Sequence, residues 1–300
     1  MKTWALLSFT ACGISLLLCG CGGGSNPAVV SPLAGNWLLV GPMPTNVFSI
    51  SPAPSPPGQV RLAVTFDVAG DQVIAGGFGN SFCDNSQGSF GFGDVASGIL
   101  AKDGSFTATP ENNSAEAISI TGTAPQKSGE PWSGSYAVSL GGPVTPACDA
   151  NLSGTFTATS FPLVSGVYVG TGSTLAGQNG VPKAVPVTLQ VTLQQGGIVT
   201  NPGNGAASNY FSNALLIGNI KVQGSPCFSS GETQSTPASS VIGNMVSARF
   251  LMDDGSTLIL EGALTDVTEG HISTGIILVQ GGKCGSPTNT IVLFGLDRQS

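Results

Sequence analysis

One histidine, a scatter of carboxylates and seven cysteines are the side chains here that could do chemistry. A Ser-His-Asp relay needs a histidine as its base, so His271 would have to fill that role. It lies in Glu269-Gly270-His271-Ile272-Ser273, where a turn enters a strand, and no Gly-x-Ser-x-Gly elbow is present. The expected role is a half-exposed strand-end histidine. One histidine is too few for a histidine-rich metal site. Paired carboxylates could hydrolyse glycosides, and the candidates are Asp67, Asp71, Asp84, Asp94, Asp103, Asp253, Asp254 and Asp266. Most stand beside glycine or asparagine, and Asp103-Gly104 and Asp254-Gly255 have the chemistry of hairpin turns. The sequence has no Asp-x-Asp-x-Asp-Gly calcium loop and no Gly-x-x-x-x-Gly-Lys-Ser/Thr phosphate loop. No cofactor is expected, and the chain reads as non-enzymatic.

One stretch stands out for ligand binding. Gly76 to Asp94 sets Phe78, Phe82, Phe90 and Phe92 among glycines, around Cys83 and with Asp84 and Asp94. These rings could form an aromatic lip for a sugar or an apolar ligand. The expected alternative is a pair of strands whose alternating phenylalanines face the core, with glycines allowing close packing. Trp37, Trp132 and Tyr168 are core candidates first.

The elements that must position such groups begin with the N-terminus. After Lys2 an apolar run of about 15 residues, short of the roughly 20 needed to cross a bilayer, ends at Leu18. A basic start, an apolar core and a small residue before a cysteine make a secretory signal. Leu18-Cys19-Gly20-Cys21 resembles the lipobox of bacterial lipoproteins. The resemblance implies removal of residues 1–20 as the signal and diacylation of Cys21 through its sulfur. Two acyl chains hold a protein on a membrane firmly. In that family Gly22, rather than Asp, after the lipidated cysteine favours the outer membrane of a diderm host. Residues 21–32, rich in Gly, Ser and Pro, form a flexible tether.

Composition narrows the rest. Hydrophobic residues make up 41% of the chain, enough for a core, whereas charged residues are only 8%, far below the usual ~25%. The surface must be covered by Ser, Thr, Asn, Gln and Gly, as suits an extracytoplasmic protein. The net charge of −7 leaves no basic patch for phosphates, so nucleic acid is not an expected partner. The expected partners are the membrane, through Cys21, and an unidentified ligand or protein.

High Gly and Pro counts combined with short alternating runs of Val, Ile, Leu, Phe and Thr read as many short strands with many turns. The first block, 33–160, holds about eight, among them Leu33–Gly41, Val60–Val68, Gln72–Gly76, Gly88–Phe92, Ser105–Thr109 and Leu152–Thr159. The second, 161–300, repeats its plan. Leu163–Gly170 matches the opening of the first, with Tyr168 in place of Trp37. Val187–Leu193, Ser256–Gly262, Ser273–Gly282 and Thr290–Leu296 match later strands in the same order. Cys83 falls in register with Cys227, and Cys148 with Cys284. The expected fold is all-β: two tandem antiparallel domains of about eight strands, each a small barrel or sandwich, after an N-terminal signal helix. Gly35-Asn36-Trp37 also resembles the Gly-x-Trp of lipocalin and avidin-type barrels, which implies a barrel shape.

Once Cys12, Cys19 and Cys21 are set aside, four cysteines allow three pairings. Repeat symmetry selects Cys83–Cys148 and Cys227–Cys284. Closing loops of about 60 residues would stabilise each unit by roughly 4 kcal/mol in the chain-entropy model, in an oxidising compartment. The function expected is that of a membrane-anchored exported lipoprotein acting as a binding or structural module of the cell envelope. The alternatives are a carboxylate-based hydrolase of extracellular or envelope polymers and a lipocalin-like carrier of a small apolar ligand.

Overall fold

The computed structural model describes residues 31–42, 59–78, 95–110, 117–139, 151–178, 181–196, 212–234, 239–265, 267, 270–274, 276–282, 289–293 and 295–299. Apart from one 3-10 turn, Ser212–Ala214, every regular element among them is a strand. The first sheet contains β1 (Gly35–Pro42), β2 (Gln59–Ala69), β3 (Gln72–Phe78), β4 (Val95–Leu100), β5 (Ser105–Pro110), β6 (Ala117–Thr123), β7 (Trp132–Ser139) and β8 (Asn151–Phe161). The second contains β9 (Gly166–Gln178), β10 (Val181–Gln195), β11 (Leu216–Gln223), β12 (Ser230–Thr233), β13 (Ser240–Ile242), β14 (Met245–Met252), β15 (Ser256–Leu264), β16 (Ile272–Thr274), β17 (Ile276–Gly281), β18 (Asn289–Leu293) and β19 (Asp297–Arg298).

Each strand of the first sheet pairs antiparallel with the next, and β8 returns to β1, closing an up-and-down barrel. The second sheet is the same ring of eight staves: β9-β10-β11-β12-β14-β15-β17-β18, with β18 back on β9. Two of its staves are split. β13 continues the pairing along β14 beyond β12, and β16 continues it along β15 beyond β17. Ser273–Gly282, expected as one strand, is thus divided between β16 and β17. β19 adds to β9. Among the described residues, barrel closure leaves no long sheet edge to template aggregation.

Stave for stave, β9, β10, β15, β17 and β18 occupy the places of β1, β2, β6, β7 and β8, the order matched in the sequence. Gly35 and Gly166 open the first staves of their barrels, and both Trp37 and Tyr168 are buried. The connections β1–β2, β3–β4, β5–β6 and β7–β8 leave one end of barrel 1, its loop rim. The intervening turns leave the other end, the turn rim. In sequence, Cys83 falls between β3 and β4 and Cys148 between β7 and β8. Cys227 and Cys284 belong to the corresponding connections of barrel 2, β11–β12 and β17–β18.

Alternating side chains fill each interior. In barrel 1, Trp132 lies at the centre of a layer of rings, 5.9 Å from Trp37, 5.9 Å from Phe66, 5.5 Å from Phe106 and 5.1 Å from Phe156, all edge to face. Glycines on neighbouring strands make the room. A Cβ on Gly122 would stand 2.6 Å from the Trp132 ring, and one on Gly134 would stand 2.8 Å from that of Phe156. The barrel 2 interior is mostly aliphatic, built from Val, Leu and Ile with Tyr168, Phe228, Phe250 and Met252.

The two barrels belong to one compact unit, Ser31–Ser300, joined along the outside of β1 and β2. Leu38, Ala63, Asn36 and Thr65 point away from the barrel 1 interior, yet all are buried. They are covered by barrel 2 through β13 and the Ser212–Ala214 turn. At the centre two amides clasp each other: Asn36 Nδ2 donates to Gln195 Oε1 at 2.9 Å, and Gln195 Nε2 donates to Asn36 Oδ1 at 2.7 Å. Asn36 Nδ2 also donates to Pro162 O, and Gln195 Nε2 to Asn213 O. Val164 N donates to Gln195 Oε1. Thr65 Oγ1 lies 3.0 Å from both Asn36 Oδ1 and Val241 O, one of which receives its proton, and accepts Gly243 N–H at 2.8 Å. The donors and acceptors of both amides are therefore matched, as burial requires. Gly243, with φ +56°, brings the β13–β14 turn onto barrel 1, where an added Cβ would stand 2.5 Å from Trp37 O. The splitting of the β12/β13 stave is what frees this turn to reach across.

Candidate functional site

The sequence-derived site residues divide between described and undescribed parts of the chain. Cys21, Cys83, Cys148, Cys284, Phe82, Phe90 and Phe92 lie outside the described residues, as does the strand expected over Gly88–Phe92. The backbone of Phe78 ends β3, in register with Ala63 of β2. Cys227 is disulfide-bonded. It packs against the barrel 2 core, next to buried Phe228, which belongs to that core. Ser229 N–H bridges both oxygens of Asp253, tying this connection to the β14–β15 turn.

Among the described carboxylates, two are occupied within their own turns. Asp103 Oδ1 accepts Ser105 N–H at 3.0 Å and its hydroxyl at 2.7 Å, and Asp254 Oδ1 holds Ser256 in the same way at 2.9 and 2.6 Å. Hydrogen bonds from Ser105 hold the Asp103 carboxyl below the usual carboxylate range, and those from Ser229 do so for Asp253. A glycosidase general acid needs the opposite, a carboxyl raised by burial or by a neighbouring charge. Asp67 accepts from Asn213 Nδ2 at the barrel joint.

His271 sits at the entry to β16, half-buried, with Nδ1 2.6 Å from Asp297 Oδ1. A carboxylate on Nδ1 is how a catalytic histidine is oriented. Here the far side of the ring faces Gly295, where a Cβ would stand 2.7 Å from Nε2. Nearby, burial pushes the Tyr168 phenol up, with Arg298 acting against that shift. The His271–Asp297 pair ties β19, itself paired with β9, to the start of β16. Among the described residues no three His, Cys, Asp or Glu side chains gather as a metal site would require.

Two shallow grooves mark the outer surfaces. One, on barrel 1, runs between β7, β8 and β1 and is lined by Val40, Pro42, Ser133, Thr155 and Thr157. The other, on barrel 2, is lined by Thr192, Gln194, Ile217, Asn219 and Glu232, beside Gly218. Sequence reasoning missed the first groove, although Ser105-Phe106-Thr107-Ala108-Thr109 and Thr155-Phe156-Thr157-Ala158-Thr159 already alternate hydroxyl with apolar residues. It also missed the clasp of Asn36 and Gln195.

No protein-family model matches this chain, and the search of curated proteins found no match.

Proposed function

We propose that this chain is an exported lipoprotein, anchored through acyl chains on Cys21 to a bacterial envelope membrane, whose twin barrels form a non-enzymatic binding or structural module. The lipobox-like Leu18-Cys19-Gly20-Cys21 and the low charge support the location. The non-enzymatic reading rests above all on the use made of the carboxylates. Asp103, Asp253 and Asp254 are spent on holding serines in turns, and two of them are driven toward the ionised form. The barrel 1 interior supports it too, since its described part is filled by rings, leaving them to carry structure. Disulfides Cys83–Cys148 and Cys227–Cys284 would pin the corresponding connections of each loop rim.

The intact mass of membrane-extracted protein, before and after reduction, tests this reading. A chain starting at Cys21, carrying acyl mass and gaining four hydrogens on reduction, is expected. A mass without lipid would refute the anchor, and free thiols would refute the pairing. Cys21→Ser should move the protein from the membrane to the soluble fraction; a mutant still sedimenting with membranes would also refute the anchor.

A further inference from the structure

We propose that the outer face of β5 to β8 on barrel 1 binds a chain of neutral polysaccharide, which gives the binding module just proposed its partner class and rests on that reading. The face is a lattice of hydroxyls. Every outward position of these strands that stands exposed carries Ser or Thr, with Ala137 the one exception among the described residues. The rows are in register: Thr107 faces Thr121, Thr121 faces Ser135, and Ser135 faces Thr155. The residues that bear the hydroxyls therefore stand roughly 4.8 Å apart across strands and roughly 6.8 Å apart along them. Thr107 and Thr121 are close enough to hydrogen-bond, at 3.2 Å.

The composition of the face selects the ligand. A hydroxyl both donates and accepts, so an array of them matches a partner whose own groups do both, as sugar hydroxyls do. No exposed described residue on β5 to β8 is charged. The nearest described charges are the Lys127–Glu130 pair and the neighbours Lys102 and Asp103 in turns, and Arg61 of β2, in register with Val40 at the far side of the groove. A neutral face offers nothing to an anionic polymer, which the net charge of −7 repels. Solubility alone does not account for the pattern. The outside of barrel 2 mixes amides such as Gln190, Asn219 and Gln280 with the charges of Lys221, Glu232, Arg249 and Glu261, and is interrupted by exposed Leu251 and Leu278. At one side the lattice runs into the groove of Val40, Pro42, Ser133, Thr155 and Thr157. There an apolar wall meets hydroxyls, the two surfaces that the C–H face and the hydroxyl edge of a sugar ring require. A single exchange of water for sugar at such a hydroxyl contributes little, so a long chain making many contacts is the expected ligand, rather than a monosaccharide.

The test is sedimentation of the full-length protein, in mild detergent, with insoluble cellulose, chitin and curdlan. Thr121→Lys and Thr155→Lys place a charge on the lattice at exposed positions, while Gln280→Lys on barrel 2 serves as control. Wild type and control are expected to sediment with at least one of the three. The two lattice variants should bind roughly tenfold more weakly, with unchanged circular dichroism. Retention of the lattice variants at wild-type strength would overturn the face while leaving a binding module. Failure of the wild type to sediment with any of the three would overturn the partner class. Neither result bears on the lipid anchor, which the mass measurement judges separately.

Discussion

Replacing Asn36 with Ala probes the joint between the barrels. The substitution removes both clasping hydrogen bonds to Gln195, the bond to Pro162 O and an acceptor for Thr65. Thr65 can turn its proton to Val241 O, and Gln195 keeps Val164 and Asn213. What remains uncompensated is one donor and one acceptor site on Gln195 and the Pro162 carbonyl, all in a buried seam. At roughly 1 to 3 kcal/mol for a buried group left unsatisfied, shared among partly satisfied groups, the loss comes to about 3 kcal/mol. For a unit of this size that corresponds to a fall in melting temperature of roughly 6 to 12 °C. Gln195→Ala should cost a similar amount. The double variant should cost less than the sum by about 1 to 2 kcal/mol, because the second substitution removes the groups the first left stranded. Urea denaturation followed by tryptophan fluorescence reads this directly, since Trp37 and Trp132 both lie in barrel 1. Strict additivity, or an Asn36→Ala variant melting within about 1 °C of wild type, would refute the clasp as a coupling element.

Gly134→Ala should destabilise by about 1 to 3 kcal/mol and weaken the near-ultraviolet circular dichroism of the ring layer, because the new methyl group meets the Thr121 carbonyl and the Phe156 ring. Gly243→Ala should cost at least as much, combining a left-handed φ with a clash against Trp37 O; a midpoint unchanged in urea would count against the docked turn. Asp103 and Asp253 are held below their ordinary value of 3.8 in the fold. Their contribution is therefore present above that value and lost as pH falls through the lowered one, and Asp253→Ala should flatten the acid limb of a stability–pH curve. A strong thiol should lower the unfolding free energy through the disulfide at Cys227, by up to roughly 4 kcal/mol for a long closed loop, read as a lower urea midpoint; an unchanged midpoint would mean that this bond does not constrain the unfolded chain.

Much of the fold was legible because period-two alternation and glycine turns are local signals. Val60–Val68 and Gln72–Gly76, with the turn between them, became β2 and β3, and the order of the second block repeated the first. The splitting of two staves was not legible. For β12 and β13 the cause is tertiary: β13, still paired with β14, packs against β1 and β2 of barrel 1, and no propensity encodes that. The joint was missed for a related reason. Asn36, Thr65 and Gln195 are polar residues on strands, which alternation assigns to water. The sequence did carry a trace in Leu38-Leu39 and Leu62-Ala63-Val64, where apolar residues fill both faces of a strand, as they do when both are buried. The hydroxyl lattice was visible only as alternation within single strands, because register between strands is a property of the sheet.

The closed ladder around β1 has a mechanical consequence. A pull on the chain ahead of Gly35 runs along β1, which is bonded to β2 on one side and to β8 on the other. Such a load must shear two ladders at once, sharing force among many bonds instead of opening them one after another. Because β1 also carries Asn36, the same tug is passed sideways into barrel 2 through the amide clasp. The first stave thus acts as the strain-bearing spar of the molecule, and under tension both barrels should yield together rather than in sequence.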